Sequence, residues 1–225
     1  MNNYCVMIPA FNEARTIGRI VAELKAKSRA PVYVVDDGSS DGTGQIAERA
    51  GAIVLRHDKN AGKGAAMRDG FRRILSEHFD PVLIMDGDGQ HETRSVPDFF
   101  KIMDEAGCDI VIGNRMQDTS SMPYTRKKTN IFMSYMISKV CGRRIPDTQC
   151  GFRLIKRKVL EEIKLESSNF EIESELIIRA CRKGLKVCSV PIRTIYDGER
   201  SSINPIIDTL RFMAFLIKMK FAKDE

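Results

Sequence analysis

At 225 residues with 43% hydrophobic content, the chain is long enough for one sizeable core and has the composition of a soluble globular protein. A net charge of +6 and a pI near 9.0 favour anionic partners such as a nucleotide or an acidic lipid surface. With aromatics at 7% and no basic-aromatic array, nucleic acid is not an expected partner. No signal peptide and no apolar run of about 18 residues occurs, so nothing is expected to span a membrane and the expected location is cytoplasmic. Cys5, Cys108, Cys141, Cys150, Cys181 and Cys188 form no C-x-x-C pair, and they read as small core residues in a reducing compartment.

The chain opens with Tyr4-Cys5-Val6-Met7-Ile8, a strand, then the turn Pro9-Ala10-Phe11-Asn12-Glu13. Beyond Ala14 the apolar residues Ile17, Ile20, Val21 and Leu24 recur at helical spacing, and Lys25 and Lys27 lie near the helix end, where cations suit the dipole. The unit repeats with a strand at 32–35, a loop at 36–42, a helix at 43–50 and a third strand at 52–55. The loop Asn60-Ala61-Gly62-Lys63-Gly64 leads into a helix from 65 to about 78, and after Pro81 comes the apolar run Val82-Leu83-Ile84-Met85. This alternation predicts an α/β fold, a mostly parallel central sheet with helices on both faces.

The second half is less regular. It reads as an amphipathic helix at 95–106, a strand at 108–113 running into Asn114-Arg115, and a basic, helix-compatible stretch from Arg126-Lys127-Lys128 to 140. A loop at 147–153 enters a short strand, a helix begins at Phe170 and stops near Gly184, and a last strand covers 186–192. No linker divides residues 1–203. Residues 204–225 open with Asn204 as N-cap and Pro205 at the first helical position, and they form a C-terminal amphipathic helix, in the same domain or peripheral to it. Its apolar residues, among them Phe212, Phe215, Leu216 and Met219, exceed one stripe. The expectation is a helix lying on a membrane or at a contact between subunits of a homo-oligomer, with Arg211, Lys218, Lys220 and Lys223 facing anionic headgroups.

The apolar run at 82–85 stops at Asp86-Gly87-Asp88-Gly89-Gln90-His91. If the backbone stays extended through Gly87, its two-residue period points Asp86 and Asp88 the same way, a two-carboxylate face for Mg²⁺ or Mn²⁺ shared with substrate phosphates. Ligands of parallel sheets bind at the carboxyl ends of the strands, where Asn12, Glu13, Asp36, Asp37, Lys63, Asp86 and Asp88 gather. The first turn, Pro-Ala-Phe-Asn-Glu, is not a G-x-G-x-x-G, which argues against a dinucleotide-dependent dehydrogenase.

Read in order, Pro9 to Glu13, 34–43, 60–64, 85–91, 113–115, 147–153 and 190–202 resemble glycosyltransferase family 2, the inverting nucleotide-sugar enzymes with the Rossmann-like GT-A fold. Within it the chain is most similar to the dolichol-phosphate mannosyltransferases and their bacterial polyprenyl-phosphate relatives. The resemblance implies that Pro9, Phe11, Glu13 and Asp37 hold the nucleoside and that Lys63 lies in the nucleotide-side loop. It places Asp86, Gly87, Asp88 and Gln90 at the metal and diphosphate, and a GDP- or UDP-sugar as donor. Arg115, Arg153 and Arg200 are the guanidinium groups expected around phosphate oxygens. His91 reads as a further ligand or, in preference, as a helix-entry residue. Many polyprenyl-phosphate relatives carry carboxy-terminal transmembrane helices that this sequence does not show, so membrane integration is not expected.

The acceptor is expected to be a polyprenyl phosphate, because Arg126-Lys127-Lys128 lies where the resemblance places a lipid phosphate. A phosphate monoester with second pKa near ~6 is mostly dianionic at pH 7 and attacks without a general base. A glycan hydroxyl would need one, and Glu171 or Glu173 lies where other members place a catalytic carboxylate. The rival classes are a phosphatase of Asp-x-Asp-x-Thr type, disfavoured by Gln90 at the fifth position, a sugar nucleotidyltransferase, disfavoured by the first turn, and a non-catalytic nucleotide-sugar-binding module.

Overall fold

The computed structural model describes residues 3–195 and the helix at 205–221, with side chains of that helix from 211 to 219. Seven strands form one sheet: β1 (Cys5–Ala10), β2 (Val32–Asp36), β3 (Ile53–Arg56), β4 (Val82–Ile84), β5 (Ile110–Asn114), β6 (Arg153–Ile155) and β7 (Val187–Pro191). Their order is β3-β2-β1-β4-β6-β5-β7, and β6 alone runs antiparallel, paired with β4 on one side and β5 on the other. β1, β2, β4 and β5 are buried along their whole length, which is why they read as unbroken apolar runs rather than alternating ones. Among the described residues the α-helices are α1 (Ile17–Lys27), α2 (Thr43–Arg49), α3 (Lys63–Leu75), α4 (Val96–Ala106), α5 (Tyr124–Cys141), α6 (Arg157–Glu162), α7 (Glu171–Arg182) and α8 (Pro205–Phe221). No helix among the described residues is long and apolar enough to cross a membrane.

β6 decides where the site forms. Because it is antiparallel, its first residue, Arg153, stands opposite Ile84 at the carboxyl end of β4 and opposite Ile112 in the middle of β5. The loop that precedes Arg153 is thereby folded over the end of β4. The six-residue α6, with two buried apolar side chains, is too short to show a period, and no sequence signal predicts it.

Two expectations are corrected. β4 ends at Ile84, and the chain turns at 87–88 instead of remaining extended, so the period-two argument for Asp86 and Asp88 does not hold. Cys108 and Cys188 are not separate thiols but a disulfide with Cα atoms 6.1 Å apart, whereas Cys5, Cys141, Cys150 and Cys181 are free. Parallel pairing of β5 with β7, which sets Val111 opposite Cys188, brings that cysteine to Cys108, 80 positions away, and sequence spacing gives no sign of this.

The C-terminal helix divides its apolar surface. Phe212, Phe215, Leu216 and Met219, at i, i+3, i+4 and i+7, are buried where α8 packs on α5 and α7, and Arg182 Nη2 donates to the Met219 carbonyl at 2.6 Å. Arg211, Ile217 and Lys218 stay exposed, while the side chains of Lys220 and Lys223 lie outside the described residues.

Candidate active site

Asp37, expected at the nucleoside, is turned inward. Its Oδ1 accepts from the Ala61 N–H (2.9 Å) and lies 2.7 Å from His57 Nδ1, and its Oδ2 accepts from the Gly62 N–H (2.8 Å). It therefore fixes the 60–64 loop. The first glycine there is forced, since Gly62 has φ +94° and a Cβ would stand 2.5 Å from the Ser168 carbonyl oxygen. That carbonyl accepts from the Gly64 and Ala65 N–H groups and so caps the open end of α3. Residues 166–170 thus form a strap across α3, gripped by Arg68 at the Glu166 and Ser167 carbonyls and by the buried Glu175 carboxylate at their N–H groups.

The strap and α3 bring Lys63 to the centre. Its Nζ is 2.6 Å from Asp86 Oδ1 and 2.9 Å from Glu173 Oε1, and the exposed Phe170 ring lies 5.7 Å away. Burial alone would lower the Lys63 pKa, but Asp86 and Glu173 overcome it and push it above the ordinary lysine range. Burial would likewise raise the Asp86 carboxyl, yet Lys63 and His91 hold it well below the carboxylate range. Asp88 behaves oppositely, because burial and then the Asp86 charge raise it. Asp88 Oδ1 accepts from the Gln90 N–H at 2.9 Å, which fixes the turn.

His91 does not open a helix. Its ring is buried against Phe152, with centroids 5.3 Å apart, and Nε2 lies 3.7 Å from Asp86 Oδ2. A Cβ at Gly151 would collide with the Asp86 carboxylate, so that glycine admits the carboxylate to the 147–151 loop.

Two of the arginines expected at phosphate oxygens, Arg115 and Arg153, are bonded to protein groups. Arg115 is buried in a bidentate pair with Asp147, Nε to Oδ2 at 2.7 Å and Nη2 to Oδ1 at 3.0 Å. Arg153, fully buried, donates to the carbonyls of Cys150, Glu173 and Thr148 at 2.8, 2.8 and 3.0 Å. Between them they fix the loop over β4 and the start of α7. Arg126 is half-buried on α5, and Arg200 lies outside the described residues. Pro9 is buried in β1 opposite Val35. Phe11 is exposed at the strand end, and Glu13 lies beside Thr43, whose hydroxyl accepts from the Glu13 N–H at 2.7 Å.

Sequence reasoning missed the roles of His57, Asp147 and Glu175. Asp147 stood within a quoted motif, so its negative charge was available as a partner for Arg115. Glu175 carried no signal, because an acidic residue in the first turns of a helix reads as a dipole partner.

The family model described as Glycosyl transferase family 2 matches residues 5–164. An uncharacterised protein of Methanocaldococcus jannaschii is 36% identical over 221 residues, covering 96% of this chain and 91% of its own length. The polyprenol monophosphomannose synthase of Mycolicibacterium smegmatis is 31% identical, covering 83% of this chain and 75% of its own. The fold matches glucosyl-3-phosphoglycerate synthase of Mycobacterium tuberculosis, solved with Mn²⁺, UDP and phosphoglyceric acid, at TM-score 0.75 and 17% identity, over 99% of this chain and 80% of that one. The sheet order, the charged centre at the strand ends and the family match agree: this chain is a GT-A-fold glycosyltransferase and belongs to glycosyl transferase family 2.

Proposed function

We propose that the chain is an inverting, metal-dependent transferase that moves a sugar from a nucleotide-diphosphate sugar, GDP- or UDP-linked, to a polyprenyl phosphate. The observation that carries the acceptor is a cavity of ≈ 770 Å³ between α5 and the loop at 142–146, beside the Arg115–Asp147 pair. Met116, Ile131, Ile145 and Pro146 give it apolar walls, and Lys139, Arg143 and Arg144 a cationic rim. That combination suits an amphiphilic anion better than a neutral glycan. Relatives named for polyprenol and undecaprenyl phosphate chemistry support the same class.

The residues present fit Mg²⁺ or Mn²⁺. Asp86 and Asp88 are two carboxylates at the end of β4, each raised in cost by burial, and hard cations take such oxygens. Asp86 and Asp88 would hold the ion, with Gln90 on the turn beside them. When bound it supplies charge neutralisation to the departing diphosphate. Lys63 orients Asp86 and Glu173, and the exposed Phe11 ring at the end of β1 offers a face to the base. The acceptor oxygen attacks the anomeric carbon opposite the diphosphate, so one C–O bond forms as the other breaks. A dianionic acceptor releases no proton in this step.

The competing reading gives Glu173 the part of general base for a glycan hydroxyl. Its ion pair with Lys63 instead supports a fixed carboxylate that balances the lysine. Glu173→Gln is therefore expected to keep transfer to an isoprenyl phosphate within about tenfold, whereas loss of a general base costs about 10²–10⁴-fold. Initial rates at saturating donor, with nucleotide affinity measured in parallel, decide it, and a fall beyond about 10²-fold at unchanged affinity points to the hydroxyl acceptor. A thermal-shift panel of GDP-, UDP-, dTDP- and CDP-sugars with Mg²⁺ identifies the donor, since only a ligand of the folded state raises its stability.

A further inference from the structure

Of ten large hydrophobic side chains exposed among the described residues, five lie on α5, including Tyr124 (68% exposed), Ile131 (50%), Phe132 (42%) and Tyr135 (57%). At 3.6 residues per turn, these four with Lys128 and Lys139 fall within about 100° of arc, roughly opposite the buried Asn130, Met133 and Ile137. The helix is apolar on two sides, which is why it shows so little periodicity. Lys128 Nζ lies 4.4 Å from the Tyr124 ring centroid and Lys139 Nζ 5.5 Å from that of Tyr135, so each ammonium rides on an aromatic body. No Asp or Glu occurs between Asp118 and Asp147, while Arg126, Lys127, Lys128, Lys139, Arg143 and Arg144 do. An exposed apolar stripe within an acid-free basic segment is complementary to an interface of acyl chains below anionic headgroups.

We propose that the outer stripe of α5 docks the enzyme on an anionic lipid bilayer, lying in the headgroup plane so that the mouth of the adjoining cavity opens toward the lipid. The inference rests on the lipid-acceptor reading for its purpose and on the stripe alone for its geometry. It moves the expected membrane contact from α8, whose main stripe is buried against the domain, to α5.

The chain contains no Trp, so Phe132→Trp places a single reporter in the stripe. With vesicles of phosphatidylcholine containing phosphatidylglycerol, its emission is expected to shift to the blue and the protein to co-sediment, with little of either on pure phosphatidylcholine and a decline as salt rises. The double variant Tyr124→Glu, Phe132→Glu is expected to bind these vesicles at least about tenfold more weakly, with transfer to a short, water-soluble isoprenyl phosphate unchanged. An unshifted emission, equal vesicle binding by the double variant, or a blue shift that needs no vesicles and tracks a doubled sedimenting mass would overturn the proposal, the last by assigning the stripe to a second copy of the chain. Vesicle binding by a protein that glycosylates no isoprenyl phosphate leaves the docking intact and removes the acceptor reading.

Discussion

Asp88→Asn is expected to lower sugar transfer by about 10³-fold in the presence of Mg²⁺ or Mn²⁺ while leaving the fold at least as stable. Burial and the charge of Asp86 raise the Asp88 carboxyl, so the folded chain holds that proton more tightly than the unfolded one. For such a group the sign is a cost at neutral pH that disappears as pH falls through the raised pKa. An amide removes the charge yet keeps an oxygen to accept from the Gln90 N–H, so nothing buried loses its partner. Thermal melts without metal should show an unchanged or higher midpoint, and Mn²⁺ titration by electron paramagnetic resonance should show lost affinity. A variant that keeps its turnover would remove Asp88 from the metal.

Lys63→Met has the reverse profile and should harm both stability and activity. The side chain is nearly buried between two carboxylates, and removing the ammonium leaves Asp86 and Glu173 facing each other with only the longer contacts from His91 (3.7 Å) and Arg153 (3.9 Å) to balance them. Breaking a buried pair by deleting one partner costs about 3–5 kcal/mol, and because Asp86 is partly exposed about 2–3 kcal/mol is expected. Asp86 is depressed, so its contribution is present above the ordinary carboxylate pKa and lost as pH falls toward the lowered one. Lys63 is raised, so its contribution is present below the ordinary lysine pKa and lost as pH rises beyond it. Urea titrations across pH should therefore give a difference between wild type and variant that is flat between about pH 4 and 10 and shrinks outside that window. A difference unchanged at low pH would separate Lys63 from Asp86.

Much of the architecture was legible because β1, β2 and β4 are buried along their length and the helices α1 and α3 between the first strands are amphipathic. The alternation of periods is then a direct imprint of a covered parallel sheet. The polar residues at strand ends were legible for the same reason, since a parallel sheet gathers them at one edge. What could not be read is how those residues divide the work. Asp37 braces the 60–64 loop and Arg115 is paired with Asp147, contacts that a reading of either as a ligand residue does not foresee. In both cases the partner is distant in sequence, and a charged side chain gives no local sign of whether it faces solvent or another charge. The division of the apolar surface of α8 could not be read for a related reason. The apolar residues of α8 outnumber one stripe, but only the packing of α8 on α5 and α7 shows which are already covered, and the weak periodicity of α5 hides an outer face until its inner face is identified.

The central claim is transfer to a phosphate, and the product shows it most directly. The enzyme, Mg²⁺, the donor found by thermal shift and a short isoprenyl phosphate are incubated together with a free glycoside as competitor, and the products are resolved by mass spectrometry and by the anomeric coupling in proton NMR. The account predicts a glycosyl isoprenyl phosphodiester with the anomeric configuration inverted relative to the donor and no elongated glycoside. A glycosylated hydroxyl with the isoprenyl phosphate untouched, or a phosphodiester with retained configuration, would contradict it.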